Sequence, residues 1–361
     1  MKVMTILGTR PEIIRLSLVI PALDKHCQHI LVHTGQNYDE RLNDIFFKEL
    51  KVRQPDYCLG VKADSFAEQI AKIFIEIEKV LLKEKPDRVL ILGDTNTDLS
   101  AIIAKRMGIP VFHMEAGNRC HDDRVPEEVN RKIIDHSSTV LMPYTHNSRQ
   151  NLLAEGIAGK DIYVTGNPIN EVIRHYAKKI DASQALTHLK LKPQQYFLVT
   201  AHRAENVDVK TRLNNLLTAL NTINKKHSLP VICSLHPRTK NKIAKFGLKV
   251  NNKNIRLLEP FGFFDFISLE KQARCVITDS GTVQEECCIL KVPNVTIRDT
   301  TERPETLECG SNILAGMDPD MIINGVEIVL ARKPDWEPPA EYTATNVADK
   351  VAKIVLGYFP V

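Results

Sequence analysis

Residues 113–131, HMEAGNRCHDDRVPEEVNR, concentrate side chains able to move protons. Glu115, Asp122 and Asp123 fall in a polar loop after the apolar run 109–112, and Glu127, Glu128 and Arg131 fall on a helix that Pro126 can open. Open α/β sheets hold ligands at the carboxyl ends of parallel strands. Carboxylates in unlike environments there can serve one reacting centre as acid and base. The helix start also has an ordinary structural explanation, since acidic residues favour a first helical turn and Glu127 to Arg131 is an i,i+4 pair. A metal site drawn from His113, Glu115, His121, Asp122 and His136 lacks HExxH or comparable helical spacing, so no metal is expected.

The elements that must position these residues alternate regularly. Residues 2–7 read as a strand, Gly8-Thr9-Arg10 as a turn, and 12–23 as a helix entered through Pro11. The start of that helix is a place where backbone N–H groups can hold a phosphate, with Arg10 adding a charge-assisted contact. Strands at 29–33, 88–92, 109–112, 139–142 and 162–164 follow, interleaved with helices at 69–83 and 99–107. Such alternation predicts a parallel, doubly wound sheet. The loops holding Gly35-Gln36-Asn37, Gly93-Asp94-Thr95-Asn96 and Glu115 then share one sheet edge.

A turn cluster, Thr165-Gly166-Asn167-Pro168, marks a domain boundary, after which strands recur at 196–200, 230–235, 255–258, 275–278 and 294–297. Their loops carry Ala201-His202-Arg203-Ala204-Glu205-Asn206, His236-Pro237-Arg238-Thr239 and Asp279-Ser280-Gly281-Thr282, the last running into a helix. This is a second candidate anion site, although Ser280 read alone is more simply a helix cap. The division expected is a first α/β domain over 1–168, a second over 169–344, and a helix within 345–361 that folds back on the first. Strand-end loops of both domains can face a cleft between them.

The composition is that of an ordinary globular protein of 361 residues, with 43% hydrophobic and 25% charged residues. A net charge of +4 is too small to suggest nucleic-acid binding but suits an anionic small substrate. No apolar run reaches membrane-spanning length and no signal peptide is evident, so a cytoplasmic location away from membranes is expected. Eight cysteines lack CxxC or regular spacing and read as reduced, mostly buried side chains. The absence of GxGxxG counts against a nicotinamide or flavin.

Six motifs stand in order: GTRPE at 8–12, GDTNTD at 93–98, HMEAGNR with VPEEVNR within 113–131, AHRAEN at 201–206, TDSGTVQEE at 278–286 and TERPE at 301–305. By these the chain resembles the non-hydrolysing UDP-N-acetylglucosamine 2-epimerases over nearly its whole length. The resemblance implies two Rossmann-like domains of the glycosyltransferase-B type, with the active site in the interdomain cleft, and a homodimer. It implies elimination of UDP across C1 and C2 to a bound 2-acetamidoglycal, followed by re-addition after the C2 proton returns to the opposite face, with no cofactor.

On the same grounds Asp94, Glu115 and Glu127 are the acid, base and charge-stabilising group, in an order left open, and His202 stands at the reacting centre. Arg10, Ser280, Gly281 and Thr282 are implied as phosphate binders, Glu286 as the partner of the ribose hydroxyls, and Phe266 as a neighbour of the uracil. Arg131, His236 and Arg303 belong to the same motifs and are carried as possible site residues.

Departures from the family pattern concern the sugar. The common TDSGG is TDSGT here, and HVEAGLR is HMEAGNRC, followed by a shortened HDDRVPEE segment. The GQH that helps some members bind a second, activating UDP-sugar is Gly35-Gln36-Asn37, so that site is not carried over. With LKPQQYF at 191–197 and FGF at 261–263, these variants resemble the branch that converts UDP-2-acetamido-2,6-dideoxy-L-talose to UDP-N-acetyl-L-fucosamine for capsule or O-antigen synthesis. The alternatives are epimerisation of UDP-N-acetylglucosamine itself and, of other classes, a UDP-sugar-dependent glycosyltransferase or a nucleotide-sugar sensor. A sensor has no reason to gather three carboxylates near an anionic ligand.

Overall fold

The computed structural model describes residues 1–35, 40–63 and 65–358, with the backbone alone described for 40–44. The Gln36-Asn37 variation lies outside the described residues. The chain divides into two compact units, one of Met1–Arg174 with Ala340–Val361 and one of His175–Pro339. The boundaries expected at 168/169 and 344/345 thus stand at 174/175 and 339/340. Packing explains both shifts. The helix Ile169–His175 buries Ile169, Val172 and Ile173, and Asn170 Nδ2 donates to the carbonyls of Thr343 and Ala344 at 2.8 and 3.1 Å, within the first unit.

In the first unit β1 (Lys2–Leu7), β2 (Gln28–His33), β3 (Tyr57–Cys58), β4 (Arg88–Leu92), β5 (Val111–Met114) and β6 (Val140–Met142) pair in parallel in the order β3-β2-β1-β4-β5-β6. A parallel sheet covered on both faces needs strands apolar on both sides. All five residues of β4, RVLIL, are accordingly buried. One face of the sheet contributes Met4, Ile6, Val89, Ile91 and Val111 to a core with Ile73, Ile77, Val80 and Leu81 of the helix Phe66–Glu84. Ser65 caps that helix by accepting the Glu68 N–H at 3.2 Å.

The second unit repeats the plan. β7 (Phe197–Thr200), β8 (Val231–Ser234), β9 (Ile255–Leu258), β10 (Cys275–Thr278), β11 (Asn294–Thr296) and β12 (Asn312–Leu314) lie in the order β12-β11-β10-β7-β8-β9, again parallel. Alternate residues feed separate cores, Phe197, Val199, Cys275 and Ile277 on one face and Tyr196, Leu198, Ile232 and Val276 on the other.

Three expectations are corrected in detail. The helix expected over 12–23 is two helices, Arg10–Leu16 and Val19–His26, because Pro21 has no N–H to continue the first helix's bonding and sits in the opening turn of the second. The strand expected at 109–112 runs Val111–Met114, starting after Pro110, which likewise lacks a donor. Residues 162–164 form only a single bridge, Ile162 with Leu141.

After the second unit the chain returns. The helix Val347–Gly357 buries Val347, Ala348, Val351, Ala352 and Val355 in the first unit. The buried Arg88 guanidinium donates to the Val355 and Tyr358 carbonyls, and Lys350 Nζ donates to the Thr165 carbonyl at 2.9 Å.

Candidate active site

The strand order of the first unit reverses between β1 and β4, so the loops after β1, β4 and β5 share the edge where such sheets bind ligands. Leu92 pairs with Met114, so Asp94 and Glu115 leave the sheet from neighbouring strands. Glu115 has φ +67°, a left-handed conformation that a non-glycine residue keeps only when its surroundings hold it. Here the Arg15 guanidinium donates to its Oε2, Tyr144 Oη donates to the same oxygen at 3.3 Å, and Asn118 Nδ2 donates to Oε1 at 3.3 Å. Arg15 also stacks on the Tyr144 ring at 5.5 Å. Asp94 accepts from Arg131 Nε at 2.8 Å and pairs with its NH2 at 2.7 Å. Glu127 is half-buried in the first turn of the helix Pro126–Ser137.

Glu128, expected at the helix start, and Asp135 support these groups. Glu128 is fully buried; it accepts the Cys120 and His121 N–H groups, both at 3.0 Å, and Arg131 NH1 at 2.7 Å. Burial alone would raise its pKa, but the Cys120 N–H and Arg131 outweigh it and hold the carboxyl below its usual range. Arg131 is therefore fixed between Glu128 and Asp94. His113 faces Asp135 Oδ1 with Nδ1 and the Gly93 carbonyl with Nε2, both at 2.8 Å, which commits both ring nitrogens. Among the described residues no group of three His, Cys, Asp or Glu is arranged to hold a metal.

The N–H groups of Gly8 and Thr9 donate to Glu12 Oε2 at 2.5 and 3.2 Å, and Thr9 and Glu12 form a capping box. Arg10 remains at this turn as a cation, half-buried and 5.9 Å from the Phe46 ring centroid. Glu12 is raised to about 7 by burial, against the opposing bonds from Gly8, Thr95 and Thr9. Buried Asp98, which accepts the Thr95 N–H at 3.0 Å and its hydroxyl at 2.9 Å, is raised well above its usual range by burial and then by the charge of Glu12. The pair anchors the turns that carry Arg10 and Asp94. Gly8 is required here, since a Cβ would run into the Thr34 and Thr97 hydroxyls.

In the second unit the reversal falls between β10 and β7. Asp279, fully buried, accepts the backbone N–H of His202 at 3.1 and 3.0 Å and of Arg203 at 2.9 Å, and His202 Nδ1 approaches it at 3.3 Å. The His202 ring stands 6.2 Å from that of His236, whose Nδ1 accepts the Arg238 N–H at 3.2 Å. Ser280 occupies the cap position of the ten-residue helix Gly281–Leu290, yet its hydroxyl makes no capping bond among the described residues. A Cβ at Gly281 would lie 2.5 Å from Glu302 Oε1, so only glycine admits this approach. Glu302 is itself held by Arg298 NH1 at 2.6 Å.

Ser280, Gly281 and Thr282 are contiguous at this helix start, and Phe266 is half-buried against the core with Leu258 and Phe261. Glu286 is 3% exposed and hydrogen-bonded to buried Glu270. Arg303 is buried; its Nε donates to Glu285, and its NH1 donates to the Glu302 carbonyl at 3.2 Å, so it braces the helix Gly281–Leu290 against the loop after β11. Arg15, Glu12 and Asp98 had no role from sequence, while Glu128 and Asp279 were placed at the helix start and in the strand-end loop but without these contacts. Glu12 and Arg15 lie one turn along the helix that GTRPE opens, and that spacing was the available signal for them.

Two parallel, doubly wound units, one rich in carboxylates at its strand ends and one with a small-residue helix start, form the kind of α/β protein that binds ligands at its strand ends. The family model described as UDP-N-acetylglucosamine 2-epimerase matches residues 21–356; the chain belongs to this family and is a UDP-sugar 2-epimerase, an isomerase. The UDP-N-acetylglucosamine 2-epimerase of Methanocaldococcus jannaschii is 46% identical over 94% of this chain and 95% of that protein. A crystal structure of the M. jannaschii enzyme with UDP-GlcNAc and UDP superposes with a TM-score of 0.95 at 44% identity, covering 99% of this chain and 100% of the other. The UDP-2,3-diacetamido-2,3-dideoxy-D-glucuronate 2-epimerase of Pseudomonas aeruginosa is 38% identical over 92% of this chain and 93% of its own.

Proposed function

We propose that this epimerase inverts C2 of UDP-2-acetamido-2,6-dideoxy-L-talose to give UDP-N-acetyl-L-fucosamine. The observation that carries the sugar assignment is the segment 119–125. It departs from the common family pattern and is tied by Glu128 to Arg131 and so to Asp94. A changed sugar loop suits a 6-deoxy sugar of the L series. Relatives of this chain are named for different sugars, UDP-N-acetylglucosamine in one and a diacetamido-glucuronate in another.

In this reading the first unit supplies proton transfer. The C2 hydrogen is weakly acidic, so its removal needs advanced C1–O cleavage, a carboxylate on one face and a proton donor on the other. Asp94, Glu115 and Glu127 form that set. Arg15 pairs with Glu115 and Arg131 with Asp94. The second unit holds UDP: the N–H groups and hydroxyls of Ser280, Gly281 and Thr282 stabilise the departing pyrophosphate, Arg10 adds charge, and His202 stands by the sugar. Glu286 and Phe266 are assigned to ribose and uracil.

The competing substrate is UDP-N-acetylglucosamine, favoured by the 46% identity to the M. jannaschii enzyme. Incubation of each sugar in D2O separates the two. Deuterium at C2 and a fuco product from the L-talo sugar, without an acceptor, is the expected result. Exchange with UDP-N-acetylglucosamine alone overturns the sugar assignment, and exchange with neither overturns the assignment of the carboxylates.

A further inference from the structure

Two of the eight cysteines, 21 residues apart, meet in the second unit. Cys288, in the helix Gly281–Leu290, is fully buried, and its Sγ lies 3.6 Å from that of Cys309, which ends the helix Pro304–Glu308 and is half-buried. Both are thiols. Other buried thiols sit in different surroundings: Cys287 donates to Glu270 Oε1 at 3.0 Å, and Cys233 and Cys275 are packed in the apolar core.

We propose that Cys288 and Cys309 form a hydroperoxide-responsive dithiol site, with Cys309 the attacking sulfur and Cys288 the resolving one. A thiol attacks as its thiolate, and the thiolate forms where donors surround it and a reactant can reach it. Cys309 meets both conditions. Its Sγ shares a hydrogen bond with Cys288 Sγ in which either sulfur can donate, and it also faces the Thr306 carbonyl at 3.6 Å; the contact with Cys288 is the largest influence and, against burial, draws the Cys309 thiol below its usual range. Cys288 is displaced upward by the same contact and then by burial. Exposure points the same way, since Cys309 is half-buried and reachable while Cys288 is fully buried.

The reaction balances with hydrogen peroxide as the named oxidant. The Cys309 thiolate attacks one peroxide oxygen and the O–O bond breaks, giving a sulfenic acid and hydroxide. Cys288, giving up its proton, attacks the Cys309 sulfur. The S–O bond breaks and, with that proton, the oxygen leaves as water. In sum two thiols and one peroxide give one disulfide and two waters. The bond would join the far ends of the helix that starts at Gly281 and the helix that follows Arg303.

Titration of free thiols after about one equivalent of hydrogen peroxide at pH 7 tests this on the intact chain. The expected count falls from eight to six, and peptide mapping recovers a 288–309 cross-link. Without oxidant, iodoacetamide should label Cys309 before Cys58, which is the more exposed. In Cys288→Ser the cross-link is lost and a sulfenic acid on Cys309 is trapped by dimedone. Retention of eight thiols, a cross-link through any other pair, or labelling of Cys58 first overturns the proposal, and these wild-type readouts decide it even where a variant misfolds.

Discussion

Glu12→Gln is expected to stabilise the first unit at alkaline pH while leaving it little changed in acid. Burial raises the Glu12 carboxyl from 4.5 to about 7, a shift of about 2.5 units, or about 3 kcal/mol of differential interaction between its two protonation states. The folded unit binds this proton more tightly than the unfolded chain. The contribution is therefore fully present below pH 4.5 and is lost as pH rises through about 7. Glutamine imitates the protonated form: its carbonyl can accept the Gly8 and Thr9 N–H groups, and it cannot ionise beside Asp98. Wild type minus variant should thus fall by about 3 kcal/mol between pH 4.5 and 8.5, on the order of 100-fold in the opening equilibrium. With two units present, a single unfolding curve is not a two-state measurement. Amide hydrogen exchange of peptides covering β1 and β4, corrected for intrinsic rates, reads the unit directly. A pH slope in Glu12→Gln parallel to that of the wild type, or equal destabilisation at both pH values, refutes the reasoning.

Other outcomes follow from the same contacts. Glu127→Gln should abolish deuterium incorporation at C2 while calorimetry still detects UDP binding; retained exchange removes Glu127 from the proton-transfer set. Gly281→Ala places a methyl 2.5 Å from Glu302 Oε1 and should cost about 1–3 kcal/mol in overpacking while weakening UDP binding, measured by thermal unfolding and titration. Glu128→Gln removes the carboxylate that shares Arg131 with Asp94, destabilising by about 3–5 kcal/mol as a broken buried pair.

The two sheets were legible because parallel, covered strands show themselves as short apolar runs, of which RVLIL in β4 is the clearest. β3 and β12 escaped notice because two or three residues carry no periodicity to recognise. Asp94, Glu115 and Ser280 could be placed at strand ends from local order alone. Their supports could not: Arg15 and Glu115 are 100 residues apart, and Asp279 is 77 residues from the His202 N–H it holds. Pairings of this kind are set by which strands lie side by side, a property of topology that no window of sequence contains. Glu12 shows the converse, a capping box formed entirely within one local window.

The return of the chain's last helix to the first unit has a consequence for synthesis. Residues 175–339 must leave the ribosome before Ala340–Val361 can complete the first unit, a delay of about 8–33 s at 5–20 residues per second. Throughout that interval Arg88 awaits the Val355 and Tyr358 carbonyls, and the surface later covered by Val347, Val351 and Val355 stays open. The second unit is continuous in sequence and needs no later segment to complete it, whereas the first unit waits for its last helix.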